Sequence, residues 1–162
     1  MRIVVYSKWY RVTPNDHRSW PIPTGGHLPI VGNDSLWPVV VETTSGQLTD
    51  EDVQRYNARR AQRLLRAEKH VQILEAVQAM RMSSRHRKTI ADFDARHREE
   101  QRRYLAGVAL VTSSALLRLV LAAIYRLTPA VCPRKPCGSV AEATSWAHGL
   151  LALGGRGQRH DL

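Results

Sequence analysis

Residues 105–127 read LAGVALVTSSALLRLVLAAIYRL, and this stretch decides the fold. Its first part, 107–112, is a short apolar run typical of a buried strand. Ser113 and Ser114 then offer a helix N-cap. The part that follows, 115–127, is apolar almost all round, which is typical of a buried helix. We expect it to be the least exposed helix, with these side chains in the core: Leu117, Val120, Leu121 and Ile124.

The same stretch is about as long as a membrane-spanning helix. Arg118 would then lie near the middle of the bilayer, at a cost of about 2.5–3.5 kcal/mol. A strand, a turn and a helix avoid that cost, so we favour them and consider the membrane an improbable partner. The amino-terminal sequence also lacks the pattern of a signal peptide. We therefore expect a cytoplasmic protein with reduced thiols.

The order of strand and then helix recurs four times between residues 35 and 153. Helices between short strands are the connections that parallel strands require. The sequence therefore predicts an α/β fold, with a roughly four-stranded, mostly parallel sheet and four helices. The expected strands are 36–43, 70–77, 107–112 and 131–137. The expected helices are 50–67, 85–104, 115–127 and 139–153.

Two segments flank this predicted domain. Residues 1–34 hold a possible edge strand within 2–12 and then a stretch rich in proline and glycine, so we expect an irregular N-terminal extension. Residues 154–162 are expected to form a polar C-terminal tail, because glycines end the last helical pattern. The whole chain has 162 residues, of which 43% are hydrophobic, and this composition excludes wholesale disorder.

Three stretches together resemble a known group of proteins. They are 36–41 (LWPVVV), then 107–111 (GVALV) with the arginine-bearing helix 117–124 (LRLVLAAI), and 140–146 (VAEATSW). Over residues 35–152 this order resembles the STAS-like superfamily, the fold of bacterial anti-sigma-factor antagonists. The resemblance implies a STAS-like fold and a function in docking partner proteins. Some members of the superfamily bind nucleotides or lipids.

The resemblance also draws attention to serines at the starts of the second and third helices. The antagonists carry a phosphorylated serine in an Asp-x-Ser-Gly turn, whereas residues 75–84 here read EAVQAMRMSS. Ligands of open α/β sheets bind outside the carboxyl ends of the strands. We expect docking at this edge, with the serines mainly as helix caps and phosphorylation as the alternative. The docking or switch candidates are Ser83, Ser84, Ser113 and Ser114.

The charge balance raises a second possibility. The chain has 24 Lys and Arg against 14 Asp and Glu, a net charge of +10. Such a surface attracts anions, and the arginines concentrate in helices 50–67 and 85–104. The alternative function is therefore that of a basic accessory protein associated with nucleic acid, although no reading motif or interleaved aromatics appear. The candidates for anion contact are Arg85, Arg87, Lys88, Arg96, Arg102 and Arg103.

The residues that could carry catalysis or hold a metal do not form a recognisable set. Cys132 and Cys137 resemble half of a zinc site, but a closed site needs four ligands. The histidines are scattered, and no nucleophile elbow or phosphate loop is present. We therefore expect a non-enzymatic regulatory module without a metal or cofactor, which acts by docking a protein partner. The sequence does not indicate its oligomeric state.

Overall fold

The computed structural model describes residues 30–76, 82–127 and 130–157, which contain five strands and five helices. The strands are β1 (Ile30–Asn33), β2 (Val39–Thr44), β3 (His70–Ala76), β4 (Leu105–Val111) and β5 (Arg134–Cys137). The helices are α1 (Asp50–Leu65), α2 (Ser84–Arg96), α3 (Arg98–Tyr104), α4 (Ala115–Leu127) and α5 (Val140–Gly157).

The strands form one sheet in the order β1-β2-β3-β4-β5. Strand β1 pairs antiparallel with β2, and every later pair is parallel. Helices connect the parallel strands because such strands cannot be joined by a tight turn. The predicted α/β class and mostly parallel sheet are confirmed. The additional strand, β1, lies within the predicted N-terminal extension, so the sheet begins at Ile30.

One face of the sheet packs against α5. Alternate residues of the parallel strands point to this face, among them Val39, Val71 and Ala109, and all three are fully buried. Ala143 and Ala147 of α5 complete the cluster. These small side chains let the helix approach the sheet closely. The predicted last helix therefore packs directly on this face and covers it.

The opposite face carries α1, and its interior is partly polar. The residues between those of the α5 face, including Glu42 and Gln72, point towards α1 and are buried. A smaller apolar cluster of Ile30, Leu48, Val53 and Tyr56 lies beside them, with Met82 and Ile90 packed against it.

Local signals place the start of α1 correctly. Thr49 is the N-cap, its side chain accepts from the Asp52 backbone, and the Asp52 side chain accepts from Thr49. This capping box satisfies two backbone N–H groups that the helix itself cannot satisfy.

The predicted second helix is instead two helices, because the chain departs from helical geometry at His97. Helix α5 continues to Gly157, beyond the predicted stop at 153.

The prediction that α4 is the least exposed helix is wrong. Leu117 and Val120, expected in the core, are 44% and 47% exposed, and Leu121 is half-buried. Helix α4 lies against β5, a strand of four residues at the edge of the sheet. So short an edge strand covers only one side of a helix. The core expectation for the Ile124 side chain and the strand expected within 2–12 lie outside the described residues.

Within the described part of the chain, no helix is long and apolar enough to cross a membrane. The segment 105–127 is a strand and a separate helix, as the sequence predicts, because the turn at 112–114 divides it.

Candidate functional site

Helix α4 presents a row of large apolar side chains to solvent. Leu116 is 73% exposed and Leu119 is 71% exposed, and Leu117 and Val120 beside them are also exposed. Ala123 extends the row by one turn and is exposed as well. Residues three and four apart are neighbours on a helix, so these side chains form one continuous surface. We call Leu116, Leu117, Leu119, Val120 and Ala123 the α4 face.

The opposite side of α4 carries an arginine. The half-buried Arg118 donates from Nη1 to the carbonyl oxygens of Thr112 and Ser113, at 2.7 and 3.1 Å. These bonds tie the helix to the end of β4. Arg118 thus reaches back to the turn before α4, while Leu116 and Leu119 point outward and Leu121 is half-buried.

A serine fixes where α4 begins. The Leu117 backbone N–H donates to Ser114 Oγ at 3.2 Å, as expected of an N-cap. Ser113 is exposed beside it. The predicted role of Ser114 as a helix cap is therefore confirmed by geometry, and it places the docking candidates Ser113 and Ser114 next to the α4 face.

The segment that contains α4 carries only positive charges of its own. From residue 105 to residue 137 the sequence contains no Asp or Glu, and its four cations are Arg118, Arg126, Arg134 and Lys135. Lys135 Nζ lies 3.2 Å from Glu142 Oε1 on α5. The Gly138 backbone N–H and Lys135 lower the pKa of Glu142 below its ordinary value. Arg118 also lowers this pKa, so Glu142 lies near two of the four cations, while Arg126 is an exposed cation of α4 itself.

The other pair of candidate serines stands at the start of α2. Ser83 is the N-cap, and its Oγ accepts from the His86 backbone N–H at 3.1 Å. His86 Nε2 lies 3.0 Å from Asp50 Oδ1, which joins the starts of α1 and α2. Ser84 is exposed. Both serine pairs follow the carboxyl ends of neighbouring parallel strands, β3 and β4, and so belong to one edge of the sheet.

Two arginines of α1, Arg60 and Arg63, are used inside the protein. Arg63 is 3% exposed in its side chain and forms ion pairs with Glu42 and Asp34, both at 2.7 Å. Burial opposes its charge, but Glu42 and Asp34 outweigh burial and raise the pKa of Arg63 above its ordinary value. Arg60 pairs with Asp94 of α2. Helix α1 consequently offers little of the basic surface that the alternative function requires.

The predicted anion contacts lie on α2 and α3, and all six are exposed. Several already have partners within the chain. Arg85 lies 3.2 Å from Asp50, and Lys88 lies 2.8 Å from Asp92. Arg87 and Arg96 donate to backbone carbonyls of Met82 and Asp92. Arg102 lies 3.6 Å from Glu99, and Arg103 is exposed nearby.

The structure places the two cysteines in the interior. Cys137 is fully buried on β5 and Cys132 is buried just before it, and both thiols are free. Burial raises the pKa of both thiols, which makes them weak nucleophiles. Among the described residues, no group of three or more His, Cys, Asp or Glu side chains is arranged to hold a metal ion.

A small cavity lies between α1 and β3, lined by Arg60, Arg63, His70 and Gln72 among others. Its volume of about 10 Å³ admits a single water molecule. A cavity of this size has no room for a substrate.

Sequence reasoning missed the exposure of the α4 face. A signal was present in the proline-containing strand 131–137, which was already expected at a sheet edge. A helix that packs on the edge strand of a sheet has few neighbouring residues to bury its side chains against. Arg118, near the start of an otherwise largely apolar helix, was a second signal, because an arginine marks the side of the helix that must find polar partners.

No protein-family model matches the chain, and no curated protein matches it. Among solved structures, an uncharacterised protein of the DUF3478 family from Shewanella loihica PV-4, described as having a SpoIIAA-like fold, is similar. The identity is 16% and the TM-score is 0.56, over 73% of this chain and 91% of that chain. The chain therefore has the SpoIIAA-like, or STAS-like, α/β fold that its resemblance to the STAS-like superfamily implies.

Proposed function

We propose that this protein is a non-catalytic interaction module that docks a protein partner through the α4 face. The observation that carries the proposal is the exposure of four large apolar side chains in a row on one helix. Contiguous apolar patches on a protein surface are typical of interaction sites. The docking expected from the STAS-like resemblance supplies independent support, and a regulatory role in the cytoplasm is consistent with it.

The position of the surface differs from the one expected from the sequence. The serines at 113 and 114 border the α4 face, whereas those at 83 and 84 start α2. We propose that docking is centred on α4 and that Ser113 is the candidate for a switch, since it is exposed and directly precedes Ser114, whose hydroxyl caps the helix. Phosphate there would be favoured by the helix N-terminus.

Site-specific photo-crosslinking in the native host tests the proposal. A photo-reactive amino acid replaces Leu119 in one variant and Leu153 in its control, because Leu153 is also apolar and is 68% exposed on α5. We expect the Leu119 position to trap a discrete protein that the Leu153 position does not trap. Equal products at both positions, or none at Leu119, would exclude the α4 face as the docking surface.

The nucleic-acid alternative now depends on α2 and α3 alone. The exposed Arg96, Arg102 and Arg103 favour it, while the internal use of the α1 arginines weakens it. Binding to RNA or DNA by phosphate contacts would fall steeply as salt rises. Charge reversal of Arg102 and Arg103 to Glu would remove that binding. Crosslinking at Leu119 would be insensitive to this charge reversal if the protein-docking proposal holds.

A further inference from the structure

We infer that the α4 face takes an acidic amphipathic helix of its protein partner, an inference that rests on the proposed docking function. The first reason is the spacing of the apolar side chains. Leu116, Leu119, Val120 and Ala123 follow the pattern i, i+3, i+4, i+7, which is the pattern that a helix presents to another helix. The apolar stripe of a partner helix, which has the same spacing, could therefore pack along this row of side chains.

The second reason is charge. The exposed Arg126 lies at the border of the apolar row, and α4 itself contains no Asp or Glu. A partner with Glu or Asp beside its apolar stripe would meet opposite charge at this border. Complementary charges of this kind guide association and select the partner. A second copy of this chain would instead bring like charges together.

The third reason is the graded exposure of the face. Leu116 and Leu119 form the crest of the helix, while Leu117 and Val120, on one flank, are less exposed, at 44% and 47%. A flat anionic membrane would contact the crest but would leave Leu117 and Val120 on the flank exposed to water. A rounded helix lying beside α4 would contact the crest and the flank together, so the shape favours a peptide over a lipid surface.

Two synthetic peptides test the inference. Both carry leucine at i, i+3, i+4 and i+7 and are held helical by the same hydrocarbon staple, and their remaining positions are glutamate in one and lysine in the other. We expect the full-length protein to bind the glutamate peptide at least about tenfold more tightly, measured by fluorescence anisotropy. Leu119→Ser and Arg126→Glu should each reduce that affinity by about tenfold or more.

Matched controls separate the face from general effects. Leu153→Ser removes an equally exposed leucine on α5, and Arg103→Glu reverses an exposed charge on α3, so neither should change the affinity. Circular dichroism and urea unfolding of each variant show that the fold is kept. Equal affinity for both peptides, no binding of either, or unchanged affinity in both α4 variants would overturn the inference.

Two further outcomes would assign the face to another occupant. Binding to phosphatidylglycerol vesicles that Leu119→Ser abolishes, without preference for the glutamate peptide, would assign it to a membrane surface. Self-association in sedimentation that Leu119→Ser abolishes would assign it to a second copy. If crosslinking at Leu119 traps a protein but the glutamate peptide fails, the docking function stands and the acidic helix is excluded.

Discussion

Arg63 Nη1 donates a 2.7 Å hydrogen bond to Glu42 Oε1, and both side chains are buried between α1 and the sheet. Gln72 Nε2 donates to the second oxygen of Glu42 at 2.6 Å, and Asp34 accepts two further bonds from Arg63. The charge of α1 is therefore a structural feature. It holds β1, β2 and α1 together and is not a surface for an external anion.

Arg63→Met should destabilise the protein by about 3–5 kcal/mol, because it leaves the buried Glu42 with only the more distant guanidinium of Arg59, at 3.9 Å, as a counter-charge. The matched control is Arg55→Met, which removes a surface pair with Glu51 on the same helix and should cost about 0.5 kcal/mol or less. Urea unfolding measures both. Equal losses would show that the Arg63 pair is as well solvated as the surface pair.

Ala67→Gly should stabilise the protein by about 0.5–1 kcal/mol. Ala67 follows α1 with φ of 55°, and its N–H donates to the Leu64 carbonyl oxygen. This left-handed conformation costs a residue with a Cβ about 1–2 kcal/mol, and glycine avoids that cost. Part of the gain is offset because glycine loses more conformational entropy on folding than alanine does. Ala58→Gly, at an exposed position within α1, should instead cost about 1 kcal/mol. A loss of stability in both variants would contradict the assignment.

Stability should fall as pH is lowered from 7 to 5, in part because of His70. Burial lowers the pKa of His70 below its ordinary value, and the nearby Arg63 and Arg66 lower it further. His70 therefore takes up a proton in the unfolded chain at about pH 6.5, whereas in the folded protein it does so only at lower pH. Lowering the pH consequently favours the unfolded state. His70→Phe keeps a ring to stack on Trp37 and removes the titration. The variant should lose less stability over this range, and an unchanged pH profile would refute the role of His70.

Gly107→Ala should destabilise the protein by about 1–3 kcal/mol, as overpacking does. A Cβ at this position of β4 would lie 2.6 Å from Leu150 Cδ1 and 2.8 Å from Trp146 Cη2 of α5. Thermal unfolding measures the loss. If Trp146→Phe relieves most of it, the clash with the indole is its cause; a neutral Gly107→Ala would mean that α5 packs less closely on the sheet.

The sequence predicted those features that depend on neighbouring residues. The Thr49 and Asp52 capping box, the Ser83 cap and the strand predicted at 107–112, which the structure has at 105–111, all arise within a few positions of the chain. The partners of Arg63 could not be predicted, since Glu42 and Asp34 lie 21 and 29 residues away and are brought near by the sheet. The exposure of Leu119 likewise depends on how little of α4 the edge strand β5 covers.

The reactivity of a thiol at position 119 tests the central claim most directly. In Leu119→Cys the new thiol stands on the α4 face, while Cys132 and Cys137 are buried. In the isolated full-length protein, it should react with a maleimide as fast as the thiol of the control Leu153→Cys and much faster than the native cysteines. A thiol at 119 that reacts as slowly as the native cysteines would show that the chain or a second copy covers the α4 face, and would contradict its role as an open docking surface.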